Sequence, residues 1–144
     1  MLGKAPLACR LGEGHNMMRL YLLVAAAGLF PIALSYGVNP AAVLPKYMKV
    51  SIEGTDLTEI FRALMCLYLG MVAFCLMAAL FRPSWQHVAV IWTVFFMFSL
   101  AIGRLISLAV DGVPSRILIL YLVVELVMGV IGVALLAGEA STAG

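Results

Sequence analysis

Residues 117–137 read ILILYLVVELVMGVIGVALLA, and this stretch decides the fold class. A helix needs about 20 mostly apolar residues to cross the hydrocarbon core of a bilayer. The apolar residues run on without alternating with polar ones, which excludes a strand of a transmembrane β-barrel. Glu125 is the single charged residue of the stretch. The pattern therefore predicts a transmembrane helix that carries one acid.

Three further runs of the same kind precede it, at residues 19–36, 60–81 and 88–110. The chain is 65% hydrophobic and 11% charged, whereas soluble domains are roughly 45–50% apolar and 25% charged. Backbone polar groups in lipid must be satisfied within their own segment, so each run is expected to be a helix. The sequence predicts an all-α integral membrane protein, a four-helix bundle over residues 19–137.

The segments outside the four runs are short. Residues 1–18 are predicted to be a polar N-terminal tail and residues 138–144 a C-terminal tail. Two alternatives stay open for the beginning: a start at Met17 or Met18, or a signal peptide that ends near Ser35. Residues 41–50, AAVLPKYMKV, are amphipathic and interrupted by a proline. They predict a short interfacial segment between the first two membrane helices.

Basic residues give the orientation of the helices. The positive-inside rule places the side richer in Lys and Arg in the cytoplasm. If both termini are cytoplasmic, four basic residues lie on the cytoplasmic side: Lys4, Arg10, Arg19 and Arg82. Three then lie on the outer side: Lys46, Lys49 and Arg116. This orientation is the expected one.

Arg62, Arg104 and Glu125 lie within apolar runs. A charge at the centre of a membrane helix costs about 2.5–3.5 kcal/mol on insertion scales, so such residues usually face the bundle interior and pair. Arg104 is about 10 Å before Asp111, and Glu125 is about 13 Å past Arg116, on the same side of the membrane. The sequence predicts an intramembrane polar cluster with Arg104–Glu125 as its central pair; its members are Arg62, Arg104, Glu125, Glu53, Asp56 and Asp111.

Small residues predict the faces along which helices approach each other closely. Gly70 belongs to a stripe beside Arg62, Gly103 is next to Arg104, and Gly129 and Gly132 share the face of Glu125. Further small or helix-breaking residues extend these stripes: Gly28, Pro31, Ser35, Ala63, Cys66, Ala73, Ser99 and Ser107. These stripes are expected to line the seams of the bundle.

The sequence shows no pattern typical of nucleic-acid binding, metal binding, disulfide bonds or catalysis. A net charge of +2 and the lack of basic clusters argue against a nucleic-acid partner. His15 and His87 are isolated and no histidine or cysteine pair has metal-ligand spacing, so no metal site is predicted. Cys66 and Cys75 are nine residues apart on one helix and face opposite ways, so all three cysteines, Cys9 included, are expected to be free. No nucleophile–base set, phosphate loop or HExxH motif is present, so a non-enzymatic protein is expected.

Two blocks of sequence carry a resemblance to a known family. They are NPAAVLPKYMKVSIEGTDLTEIFRALMCLYLG at residues 39–70 and GRLISLAVDGVPS at residues 103–115. The chain resembles a bacterial family of small four-helix membrane proteins classed as a domain of unknown function, over about residues 19–137. The resemblance implies the fold and a membrane location, and it implies no activity. The expected location is a bacterial inner membrane.

Two functions remain open from the sequence. The first is an accessory or structural subunit that packs against a larger respiratory or photosynthetic membrane complex. The second is a membrane protein that binds a quinone-like or anionic small ligand, or handles protons, with the cluster around Arg104 and Glu125. No cofactor is identified, and lipid or quinone are the candidate ligands. A cavity beside the cluster with room for more than a water or two would favour the second function.

Overall fold

The computed structural model describes the backbone of residues 7–48 and 51–143 and the side chains of residues 14–48 and 51–140. All regular structure in this part of the chain is helical. The α-helices are α1 (Leu7–Gly37), α2 (Pro40–Tyr47), α3 (Thr55–Leu76), α4 (Gln86–Val110) and α5 (Arg116–Ala143). A π-helical turn (Met77–Phe81) extends α3, and a 3-10 turn (Pro83–Trp85) leads into α4.

Within the described residues, four segments are long and apolar enough to cross a membrane: Gly14–Gly37, Thr55–Phe81, Pro83–Val110 and Arg116–Ala140. They contain the four apolar runs of the sequence, so the predicted all-α class with four spans is confirmed. Short connections make α3, α4 and α5 successively antiparallel, and the close approach of Gly37 to Met65 places the end of α1 beside the first half of α3. The end of α1, the start of α3, the end of α4 and the start of α5 therefore lie at one end of the bundle, here called the α2 end.

The structure differs from the sequence prediction at the N-terminus. Residues 1–18 were expected to form a polar tail, but α1 begins at Leu7 and continues without interruption into the first span. Extending an existing helix adds one hydrogen bond for each residue that is fixed, so it is far easier than starting one. Leu, Ala, Arg and Glu, which are frequent in 7–13, also favour helix. Residues 1–6 lie outside the described part.

The connection between α1 and α3 contains the predicted short segment as α2. The Asn39 side-chain oxygen accepts a hydrogen bond from the Ala42 backbone N–H at 3.2 Å, and Pro40 occupies the first turn. Both features are typical of a helix start. Leu44 is buried against the bundle whereas Tyr47 is exposed, so α2 is amphipathic as expected. Gly54, with a φ of 87°, then allows the turn into α3.

The bundle core is built from α1, α3 and α4, and α5 packs mainly on α4. Tyr36, Tyr68 and Phe96 join these three helices through ring contacts with centroids 5.6 Å and 5.3 Å apart. At Gly129 and Gly132 α5 approaches its neighbours closely: a methyl group at Gly129 would overlap Phe98, and one at Gly132 would overlap Val94 and Tyr21. These two glycines pack helices as predicted.

Candidate functional site

Arg104 and Glu125 form an ion pair between α4 and α5, as the sequence predicted. The Arg104 Nε–H donates to both carboxylate oxygens of Glu125, with N–O distances of 2.9 Å. The Glu125 side chain is 8% exposed and that of Arg104 18%. A lone charge at this depth in a bilayer is costly. The pairing therefore explains how both residues fit inside apolar helices.

Three tyrosines surround the pair. The Arg104 guanidinium lies over the Tyr121 ring at 5.4 Å, within the range of a cation–π contact. The hydroxyls of Tyr36 and Tyr68 are near enough to interact with the same guanidinium. An arginine has five N–H donors, and Glu125 engages one of them. None of these tyrosines was predicted from the sequence; the position of Tyr68, well inside the run 60–81, is the one signal that could have indicated it.

A cavity of about 410 Å³ borders the pair at Glu125. Its volume falls in the range of about 300–1,000 Å³ that is usual for small-molecule sites. One wall is α1 and the other is α5, while Tyr68 and Met97 lie between them. We call this cavity the crevice; its lining comprises Val24, Ala25, Gly28, Leu29, Pro31, Ile32, Tyr68, Met97, Leu120, Tyr121, Val124, Glu125 and Met128.

The crevice has a closed end and an open side. At the end away from α2, the Tyr21 hydroxyl donates to the Met128 carbonyl oxygen at 3.0 Å and holds α1 against α5. From that contact toward the α2 end, residues of both helices line the crevice. The lining residues Val24, Leu120 and Val124 are each about half exposed on the bundle surface. Because that surface faces lipid in a membrane, the crevice opens sideways into the bilayer.

A second, smaller cavity of about 160 Å³ lies toward the α2 end. It is enclosed by α2 and by the facing parts of α1 and α5, with Ser35, Leu44 and Ile117 in its lining. Tyr121 lines both cavities and separates them. Glu125, Tyr68 and Tyr121 are the residues with polar groups in the otherwise apolar lining of the crevice.

The rest of the predicted polar cluster does not join the pair. Arg62 is exposed on the surface of the bundle and forms no ion pair with another described side chain. Asp111 accepts a hydrogen bond from Ser107 at 2.8 Å, and Glu53 accepts one from Ser51 at 3.0 Å; both acids are exposed. Asp56 is exposed in the first turn of α3. These acids lie at the α2 end, where water or headgroups replace a protein partner.

The small-residue stripes that contain Gly70 and Gly103 were predicted to lie in the seams of the bundle, but they lie on its outer surface. A methyl group at Gly70 or Gly103 would meet no atom within 4 Å, so neither glycine packs helices within the bundle. On α3 the inward side is instead formed by Tyr68, Val72 and Cys75, all buried. Gly28 is equally open, and it borders the crevice rather than a close helix contact. Close approach does occur at Gly37, where a methyl group would lie 2.5 Å from Met65 Cβ.

Comparison with known families matches residues 17–136 to a family described as a domain of unknown function, DUF4345. The chain belongs to this family. The match spans all four membrane helices, in agreement with the resemblance seen in the sequence. No match was found among curated proteins or among solved structures. The description of the family names no activity.

Proposed function

We propose that this protein binds a small amphipathic molecule that enters the crevice from the lipid phase. The crevice beside Arg104–Glu125 carries the proposal, because a register-fixing ion pair alone needs no space next to it. With about 410 Å³, the space exceeds what one or two waters fill. Its apolar walls suit a hydrocarbon body, and its sideways opening suits a ligand that is dissolved in the bilayer.

The polar end of the crevice supports a neutral head group on that ligand. Arg104 and Glu125 neutralise each other through the 2.9 Å pair, so the site has no net charge to offer. An anion would meet the Glu125 carboxylate in the lining. Tyrosine hydroxyls both donate and accept hydrogen bonds, so Tyr68 and Tyr121 suit a carbonyl or a hydroxyl. A quinone-like molecule or a neutral lipid has this combination, and an anionic ligand has it less well.

The experiment compares two glycine variants of the purified protein in lipid nanodiscs. Gly28→Phe places a ring into the crevice, whereas Gly103→Phe places the same ring on the lipid-facing surface of α4; both positions have open space. A short-chain quinone is the probe, and quenching of tyrosine and tryptophan fluorescence reports its binding. We expect Gly28→Phe to weaken binding at least about tenfold, roughly 1.4 kcal/mol, and Gly103→Phe to bind like the unmodified protein.

Three results decide the matter. Equal quinone binding by both variants would contradict a site in the crevice. Tight binding of a fatty acid in place of the quinone, again lost in Gly28→Phe, would keep the site but make its ligand anionic. Uptake of protons on changing pH that depends on Glu125 but not on Gly28 would instead support proton handling. The accessory-subunit role in a respiratory or photosynthetic complex stays a prediction.

For the location we propose a bacterial inner membrane with both termini in the cytoplasm, as the basic residues indicate. Alkaline phosphatase, which is active only outside the cytoplasm, can be fused at two turns of the chain. We expect activity when it follows Gly112, between α4 and α5, and none when it follows Ser84, between the π-helical turn and α4. The reversed pattern would place the termini outside.

A further inference from the structure

The exposed side of α3 combines small residues with two charged ones. On α4 the exposed small residues Ser99, Gly103 and Ser107 lie among large apolar side chains such as Trp92, Phe95, Ile102 and Ile106, and without an exposed charge. On α3, small residues and two charges form a continuous exposed strip along the helix, with Ile60 and Leu67 beside it. We call this strip the α3 outer face; its members are Glu59, Arg62, Ala63, Cys66, Gly70 and Ala73.

The small residues leave the α3 backbone accessible to another helix. Cys66 and Gly70 are four residues apart and share the exposed side, which is the spacing of small-xxx-small helix contacts in membranes. The space around Gly70 is open, since a methyl group there would have no neighbour within 4 Å. A second membrane helix can therefore approach α3 here more closely than at any position covered by large side chains.

The α3 outer face carries one acid and one base, and this pair of opposite charges suits a second copy of the same face as its partner. Glu59 and Arg62 lie one turn apart, are exposed, and form no ion pair with another described side chain. Arg62 is about 10 Å along α3 from Thr55, where a charge that faces lipid is costly. In two parallel copies related by a two-fold axis along the membrane normal, each face meets its own counterpart. Each acid can then meet the base of the other copy.

We propose that the α3 outer face is the interface of a parallel homodimer in which Arg62 of each copy pairs with Glu59 of the other. The arrangement satisfies both charges twice and covers the exposed glycine, and it needs no other protein. The interface lies apart from the crevice, whose lining includes none of these residues. The dimer therefore stands or falls independently of ligand binding.

Cys66 reports directly on this interface, because it is a free, exposed thiol within it. Cys9 is first replaced by Ser, and Cys75 is kept since it is wholly buried. Mild oxidation in membranes should then link two copies through Cys66. The matched control moves the exposed thiol to α4 by combining Cys66→Ala with Ile106→Cys. We expect a covalent dimer from the first protein and a monomer from the control.

Two sets of variants test the contacts. Gly70→Leu should reduce the Cys66 dimer to the level of the control, whereas Gly103→Leu, on α4, should leave it unchanged. Glu59→Arg alone and Arg62→Glu alone should each lose the dimer, because like charges then face each other. The double change Glu59→Arg with Arg62→Glu should restore it. Cross-linking that ignores these changes, equals the α4 control, or joins Cys66 to a different protein would overturn the homodimer.

Discussion

Replacing Glu125 by Leu should destabilise the folded bundle by about 3–5 kcal/mol, the usual cost of removing one partner of a buried ion pair. The variant leaves Arg104 without the carboxylate that its Nε–H contacts at 2.9 Å. Arg104→Met should have a similar but smaller effect, since a lone carboxyl can take up a proton and lose its charge. Unfolding in a graded mixture of mild and denaturing detergents measures both changes.

The double variant Arg104→Met with Glu125→Leu should recover most of that lost stability, because it contains no unpaired buried charge. It should also bind the quinone probe more weakly, since Glu125 lines the crevice and Arg104 orients it. Recovered stability with unchanged binding would show that the pair only holds α4 and α5 in register. A double variant as unstable as the single ones would contradict the pairing itself.

Replacing Gly132 by Leu should be the second large effect. The new side chain would overlap Val94 on α4 and Tyr21 on α1, two of the contacts that hold α5 in place. Overpacking in a tight core costs about 1–3 kcal/mol, occasionally more. Separating Tyr21 from α5 would also break its hydrogen bond to the Met128 carbonyl oxygen, so we expect the upper part of that range.

The control for Gly132→Leu is Gly103→Leu, where the same side chain enters open space. Thermal unfolding in detergent should show a clear loss of stability in the first variant and little change in the second. Equal stability of the two variants would mean that α5 does not contact α1 and α4 as closely as the structure has it.

The four spans could be predicted because lipid offers a long apolar segment few alternatives to a helix. The pairing of Arg104 with Glu125 could be predicted for a related reason, since two opposite charges at similar depth are best satisfied by each other. Gly129 and Gly132 followed from their position on the face of Glu125. In each case one strong physical requirement left little choice.

Which side of α3 points into the bundle could not be predicted in the same way. Arg62 was placed inward because a charge within an apolar run needs a partner, but a partner on another chain satisfies it as well as one inside the bundle. Small residues such as Gly70 suit a helix contact inside the bundle or with another chain equally well, so the stripe alone does not say which. The sequence-based choice of the inward side was wrong for both residues.

The crevice also could not be predicted from the sequence. It lies between α1 and α5, which both line it and which the hydrogen bond from Tyr21 to Met128 joins. Such a gap depends on the relative placement of helices rather than on the residues of one segment. Gly28, predicted for close packing, borders the void instead.

Native mass spectrometry of the protein, extracted from the membranes of its own cells in a mild detergent, tests ligand binding in the crevice most directly. We predict that the unmodified protein retains one small neutral amphipathic molecule for each chain, and that Gly28→Phe loses this molecule while Gly103→Phe keeps it. The same bound mass in all three proteins, or no bound mass in the unmodified one, would contradict the proposed function.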